Sequence, residues 1–292
     1  MSLTLKRNPK AAPAPAKRPL AASPGTFLIW GGMAVFLILL LGVVSSVVVN
    51  SFAREWFDTW LPSGYTASWY PAAWKEYDLG QVIGTTVTVA VAVVGISVLI
   101  GAPASYVLAR RNFPGKSILM LVFLLPIMMP PITYGIPLAT LLTYYHLAPG
   151  LTGVILANLV PSIPFVILTM TPFIEQINPS IESAARMCGA NMLRLFTKIL
   201  APLLIPGILA AAVLVLVRTV GMFELTFLTS DSTSDTLVVA LFTAMTGAGI
   251  RAQQSVDAMA VVYMLMMMVM LIVALRFVNP TQLVSQVRED TD

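Results

Sequence analysis

Charge is what this sequence has least of. Of its 292 residues only 10% are Asp, Glu, Lys or Arg, against about 25% in an ordinary soluble domain, and a soluble globule of this length could not cover itself with so little polar surface. Cysteine and histidine occur once each, at Cys188 and His146. A lone cysteine cannot close a disulfide within the chain, which excludes a disulfide scaffold. A lone histidine excludes a catalytic histidine pair or a multi-histidine metal site. Disorder is excluded by the other side of the composition, because 58% of the residues are hydrophobic. These absences leave an integral membrane protein.

About 20 apolar residues carry a helix across the hydrocarbon core. Six stretches reach that length, near 27–49, 82–109, 117–143, 150–174, 199–225 and 256–278. The expected fold is therefore an all-α membrane protein with a six-helix domain over 27–278, an N-terminal tail over 1–26 and a C-terminal tail over 279–292. The first stretch is too long for a signal-peptide core and lacks a convincing small-residue cleavage pattern, so it reads as a retained anchor.

Orientation follows from the placement of Lys and Arg. Lys6, Arg7, Lys10, Lys17 and Arg18 crowd the tail; Arg110, Arg111, Lys116, Arg186, Arg194, Lys198, Arg276 and Arg288 fall on the same side. The opposite side carries Arg54, Lys75 and Arg251, while Arg218 lies within or at the edge of a span. Both termini are thus expected in the cytoplasm, in agreement with an even number of spans. The net charge of +4 reads as this topology device rather than as a nucleic-acid surface, and no nucleic-acid partner is expected.

Two further patterns stand out. The first external connection carries Trp56, Trp60, Tyr65, Trp69, Tyr70, Trp74 and Tyr77, either an interfacial aromatic belt or a surface that helps dock an external partner. Prolines interrupt three spans: Pro126, Pro130, Pro131 and Pro137 the third, Pro161, Pro164 and Pro172 the fourth, Pro202 and Pro206 the fifth. Each lacks a backbone donor and clashes with the preceding turn, so kinked or broken central helices are expected. Such breaks persist in lipid only where protein or a wet cavity satisfies the freed carbonyls.

The connection over about 176–198 is the most informative. Asn178 and Ser180 can cap a helix, Pro179 suits its first turn, and Glu182 places negative charge near the positive end of the dipole. Glu182 and Arg186 stand at i and i+4, a pair worth a few tenths of a kcal/mol, on the order of 0.3. Gly189 supplies a break and Asn191 can restart a second helix.

Aligned on Gly189, the residues read Ser183, Ala184, Ala185, three residues, Gly189, nine residues, Ile199, Leu200, Ala201, Pro202. This resembles the cytoplasmic coupling signature of permease subunits of binding-protein-dependent ABC importers: Glu-Ala-Ala, three residues, Gly, nine residues, Ile, one residue, Leu-Pro. Ser183 stands where that family has Glu, with Glu182 one residue earlier, and Ala201 stands for Leu. The resemblance extends to the six-span layout and to Trp69-Tyr70 before span two.

The resemblance implies a type I ABC importer permease fold, without catalysis of its own, in the cytoplasmic (inner) membrane of a bacterium. It implies ATPase coupling through Glu182, Ser183, Ala184, Ala185, Gly189, Ile199 and Pro202. The implied partners are an ATP-binding subunit dimer, a second permease (more often distinct than identical) and an external solute-binding protein. In appearance the chain is nearest the polyamine, opine and iron group, and sugar permeases share the framework.

No cofactor is expected on this chain; ATP and Mg would belong to the ATPase. Gly115-Lys116-Ser117 ends like a phosphate loop, but Arg110 stands where that loop needs its first Gly and no strand precedes it. Cys188 and the methionine run Met264, Met266, Met267, Met268 and Met270 read as packing residues. Polar candidates for a solute path are Tyr134, Asn158, Phe223, Glu224 and Thr226, with Glu224 favouring a cation and Arg218 opposing it. The rival class is an ATP-independent secondary transporter, which calls for an internal inverted repeat that inspection does not find.

Overall fold

The structure, a computed structural model, describes residues 24–56, 59–247 and 252–277; most of the basic tail, Arg251 and Arg288 lie outside these. The chain divides at Ser46 into two compact units. In the first, helix α1 (Pro24–Phe52) begins, and Phe27, Leu28, Ile29, Trp30, Phe36 and Leu39 are exposed around its circumference. A helix that is apolar on every side needs hydrocarbon or another protein around it.

The second unit, from Val47 on, is built around α3 (Leu79–Arg110), α6 (Leu151–Glu175) and α9 (Ala201–Val220). Val89, Val93, Val154, Val166, Met170, Ile174, Leu204, Ala211 and Val215 form its main core. Small residues set the spacing, as lipid-embedded packing requires. A Cβ on Gly101 would lie 2.7 Å from Val166 Cγ1, and one on Gly207 2.9 Å from Phe173 Cγ. Three buried hydroxyls inside the spans bond back to their own helices, Thr86 to Val82 O, Ser162 to Asn158 O and Thr171 to Ile167 O, all at 2.7 Å, whereas those of Ser97 and Thr219 are buried without a partner.

Around this centre, α12 (Gln253–Phe277) packs on α2 (Trp69–Glu76), α9 and the short α11 (Leu237–Thr246). Trp69 and Tyr70 are part of that packing: Trp69 Nε1 donates to Ala53 O (2.8 Å), and the Tyr70 hydroxyl bonds Ser51 Oγ (2.9 Å). Trp60, Tyr65 and Trp74 stay exposed. Among the described residues, five helices are long and apolar enough to cross a membrane, six when the bent pair α4 (Lys116–Met128) and α5 (Pro131–Tyr144) counts as one.

That pair is the expected broken span, bent by 99°. Met129 and Pro130 are extended (ψ 142° and 131°), because each precedes a proline, and Pro131 then opens the new helix. The other two proline-bearing spans are not broken. Helix α6 runs unbroken through Pro161, Pro164 and Pro172. It is also the most enclosed span, with 56% of its apolar stretch buried, and surrounding protein tolerates the missing donors.

In the fifth span, Met192–Val220 is one continuous helix with a π-helical turn at Phe196–Leu200, immediately before Pro202 in the first turn of α9. The helix stops at Val220, short of the expected 225, and α10 (Glu224–Thr229) is a separate element. Arg218 and Glu224 therefore do not share a helix.

Candidate functional site

The connection over 176–198 folds as its residues dictate. Helix α7 (Pro179–Met187) is capped by Asn178, whose side-chain oxygen accepts from Ser180 N at 2.9 Å, and α8 (Met192–Leu195) by Asn191, which accepts from Arg194 N at 2.8 Å. Gly189 adopts φ +81°. Its N–H donates to Arg186 O (3.0 Å) and Ala190 N–H to Ala185 O (3.1 Å), the paired bonds of a Schellman cap that calls for a left-handed residue.

Glu182 departs from the i, i+4 reading. Its carboxylate is buried and turned toward α3, accepting from the Tyr106 hydroxyl at Oε2 and from Arg110 Nε at Oε1, each at 2.7 Å. Arg110 Nη2 also donates to Ile177 O at 2.5 Å. One guanidinium thus holds both the loop entrance and its first helix. Arg186 instead donates to Met192 Sδ at 3.6 Å. Arg110 and Glu182 form an ion pair.

The other motif residues separate into two groups. Ser183, Ala184 and Gly189 are exposed and Pro202 is exposed at the start of α9, whereas Ala185 and Ile199 pack against the main core. Between α3 and α7 lies an open cleft of about 440 Å³, lined by Tyr106, Ala109, Arg110, Arg111, Pro179, Glu182, Ser183 and Arg186. Sequence reading missed Tyr106 and took Arg110 only as a topology charge; the partners lie 76 and 72 residues from Glu182, beyond any local pattern.

The solute-path candidates partly converge. Asn158 of α6 and Thr226 of α10 are buried and bonded, Asn158 Nδ2 donating to Thr226 Oγ1 at 3.3 Å and to Val154 O at 2.9 Å. Tyr134 of α5 packs on the cluster of Leu142, Ala157, Met222 and Leu225, and its buried hydroxyl has no hydrogen-bond partner. Arg218 and Glu224 both lie within electrostatic reach of that hydroxyl without pairing with each other. The Arg218 guanidinium sits 5.7 Å from the centre of the Phe165 ring. Phe223 is drawn into an aromatic cluster instead, 5.2 Å from Phe227 and 4.7 Å from Phe242 between ring centres. Both partner rings belong to α10 and α11, which the hydropathy reading had left within a connection.

Comparison with known proteins agrees with this layout. Residues 98–280 match the family described as binding-protein-dependent transport system inner membrane component. A probable ABC transporter permease protein, y4oR, of Sinorhizobium fredii is 30% identical over 195 residues, 67% of this chain and 66% of the relative. The trehalose transport system permease protein SugB of Mycobacterium tuberculosis is 37% identical over 122 residues, 42% of this chain and 44% of the relative. The matched segments therefore span 66% and 44% of these relatives' lengths.

Among solved structures, a chain of a bacterial ABC transporter involved in the import of the acidic polysaccharide alginate superposes with a TM-score of 0.72 at 18% identity, covering 88% of this chain and 99% of that one. That likeness establishes the fold. With the family match running over most of the second unit, including the end of α3, all of α6 and α9 and the capped α7–α8 segment, the chain belongs to the family of binding-protein-dependent transport system inner membrane components.

Proposed function

We propose that the chain is the membrane subunit of an ATP-driven importer in a bacterial inner membrane, with both termini in the cytoplasm. It forms half of a translocation path with a second permease, receives solute from an external binding protein, and is driven by a separate ATPase dimer that docks on α7 and α8. The observation that carries this reading is the coupling segment itself, capped at both helix starts, closed by a left-handed Gly189 and joined to α3 through Glu182. Such a rigid projection is a two-state element that a nucleotide-driven partner can bias. ATP and Mg would be used by the partner.

The solute we propose is small and polar. Glu224 favours a cationic or zwitterionic solute such as a polyamine or an opine-like compound, while Arg218 at the end of α9 opposes it, and a sugar is the second option. The trehalose relative supports the sugar option.

Purification from native membranes in mild detergent tests the assignment. Co-purification of an ATPase and a binding protein, with uptake in proteoliposomes that requires ATP, is the expected result. Uptake by the lone chain without ATP would favour a secondary transporter and refute the proposal.

A further inference from the structure

The acid that the motif leads one to expect on the ATPase-facing surface is on the inner side. One residue along a helix is a rotation of about 100°, so moving the carboxylate from 183 to 182 turns it from the exposed rim of α7 onto α3, where Tyr106 and Arg110 take it up. The rim of the cleft is left with Ser183 and Arg186 on one side and Arg111 on the other, all three exposed. Arg110 is already paired with Glu182 and Arg186 has only a 3.6 Å bond to Met192 Sδ; with Arg111, and with Arg194 and Lys198 following on the same segment, the uncompensated charge near the cleft is of one sign. The exposed Glu175, at the end of α6, lies outside the cleft lining.

We infer that this cleft is a receptor for a carboxylate side chain of the ATPase, held between Arg111 and Arg186 with the Ser183 hydroxyl as a third donor. The inference rests on the docking role proposed above, and it reverses the polarity that a glutamate at 183 would give the contact. Guanidinium groups suit a carboxylate because they offer paired, planar N–H donors. Ser183 Oγ is engaged only by a long 3.3 Å bond to Pro179 O and is free to re-aim.

An anionic lipid headgroup shares the same chemistry, and α7 exposes Ile181 and Met187 as well as Ser180, Ser183 and Ala184. The ATPase is the occupant inferred because Ser183 and Ala184, beside the cleft, are small enough to let another protein backbone approach; the lipid source is an outcome of the test.

The test uses the full chain in nanodiscs of neutral lipid, titrated with the ATPase subunit that co-purifies with the wild-type chain, over a range of ionic strength. The R111Q/R186Q double variant should bind about tenfold more weakly at low salt and lose most of the salt dependence that interfacial charge confers. R111K/R186K should retain that dependence, which separates lost charge from lost folding, and K75Q, which removes one charge on the opposite side, should bind like wild type. R186E should be weaker still, with partial recovery when an acid of the ATPase surface is changed to Arg.

Wild-type affinity and salt dependence in R111Q/R186Q would overturn the inference. So would a double variant that binds ATPase normally but no longer responds to anionic lipid in the disc, because the cleft would then be a headgroup site. A wild-type chain that captures no ATPase at all would remove the docking role itself, a different failure.

Discussion

Replacing Glu182 with Ala removes the acceptor for two 2.7 Å hydrogen bonds and leaves Arg110 without its counter-charge. The side chains of the pair are 14% and 9% exposed, so solvent reaches them little. Breaking a buried pair on one side commonly costs about 3–5 kcal/mol; Arg110 keeps its bond to Ile177 O and lies at a helix end, which brings the expected loss to about 2–3 kcal/mol. Glu182→Gln keeps an acceptor for Tyr106 and should lose about 1–2 kcal/mol.

Thermal melting in detergent, together with limited proteolysis of the 176–198 segment, reads both effects: a lower midpoint and faster cleavage, with Ala worse than Gln. A double-mutant cycle with Arg110→Met should give a coupling of at least about 1 kcal/mol. A Glu182→Ala chain that melts and resists protease like wild type, or a cycle with no coupling, would refute the assignment of Glu182 as the tie between α7 and α3.

Gly189→Val should uncouple ATP hydrolysis from uptake, through a left-handed backbone that costs about 1–2 kcal/mol in other residues rather than through a clash, since no atom lies within 4 Å of a Cβ built there; Gly189→Asn, which tolerates that conformation, should be milder in a paired hydrolysis and uptake assay. Gly101→Ala should destabilise by about 1–3 kcal/mol, because its Cβ would meet the buried, branched Val166, and Gly207→Ala should lower the midpoint in the same melting assay too, because its Cβ would meet Phe173 at Cγ and Cβ, close to that residue's backbone. Tyr134→Phe removes a hydroxyl without a partner; it should leave the melting midpoint within about 0.5 kcal/mol of wild type and raise KM for uptake, and an unchanged KM would place Tyr134 outside the path.

Most spans could be read in the sequence because hydropathy over 20 residues is a sum that few local accidents disturb. The caps at Asn178, Asn191 and Gly189 were legible for the opposite reason, each depending on one residue and its immediate neighbours. The prolines were only half legible. A proline always removes a local bond, but whether the helix breaks depends on what surrounds it: Pro130 and Pro131 in succession forced a turn, while Pro161 and Pro164 are enclosed in α6. The short α10 and α11 fell below the span length and gave no signal. Glu182 shows the sharpest limit, since spacing pointed to Arg186 and the tertiary fold chose Arg110 and Tyr106.

The unbroken run from Met192 to Val220 gives the proposed docking loop a mechanical property. At 1.5 Å per residue its 29 residues form a rod of roughly 43 Å, and the last turn carries Arg218. No break separates the loop's second half from the span, so a push on α8 is carried into the span through continuous helix, as on a lever. With a pivot midway, a tilt that moves the cytoplasmic tip by about 2 Å swings the Arg218 end by a similar distance in the opposite direction.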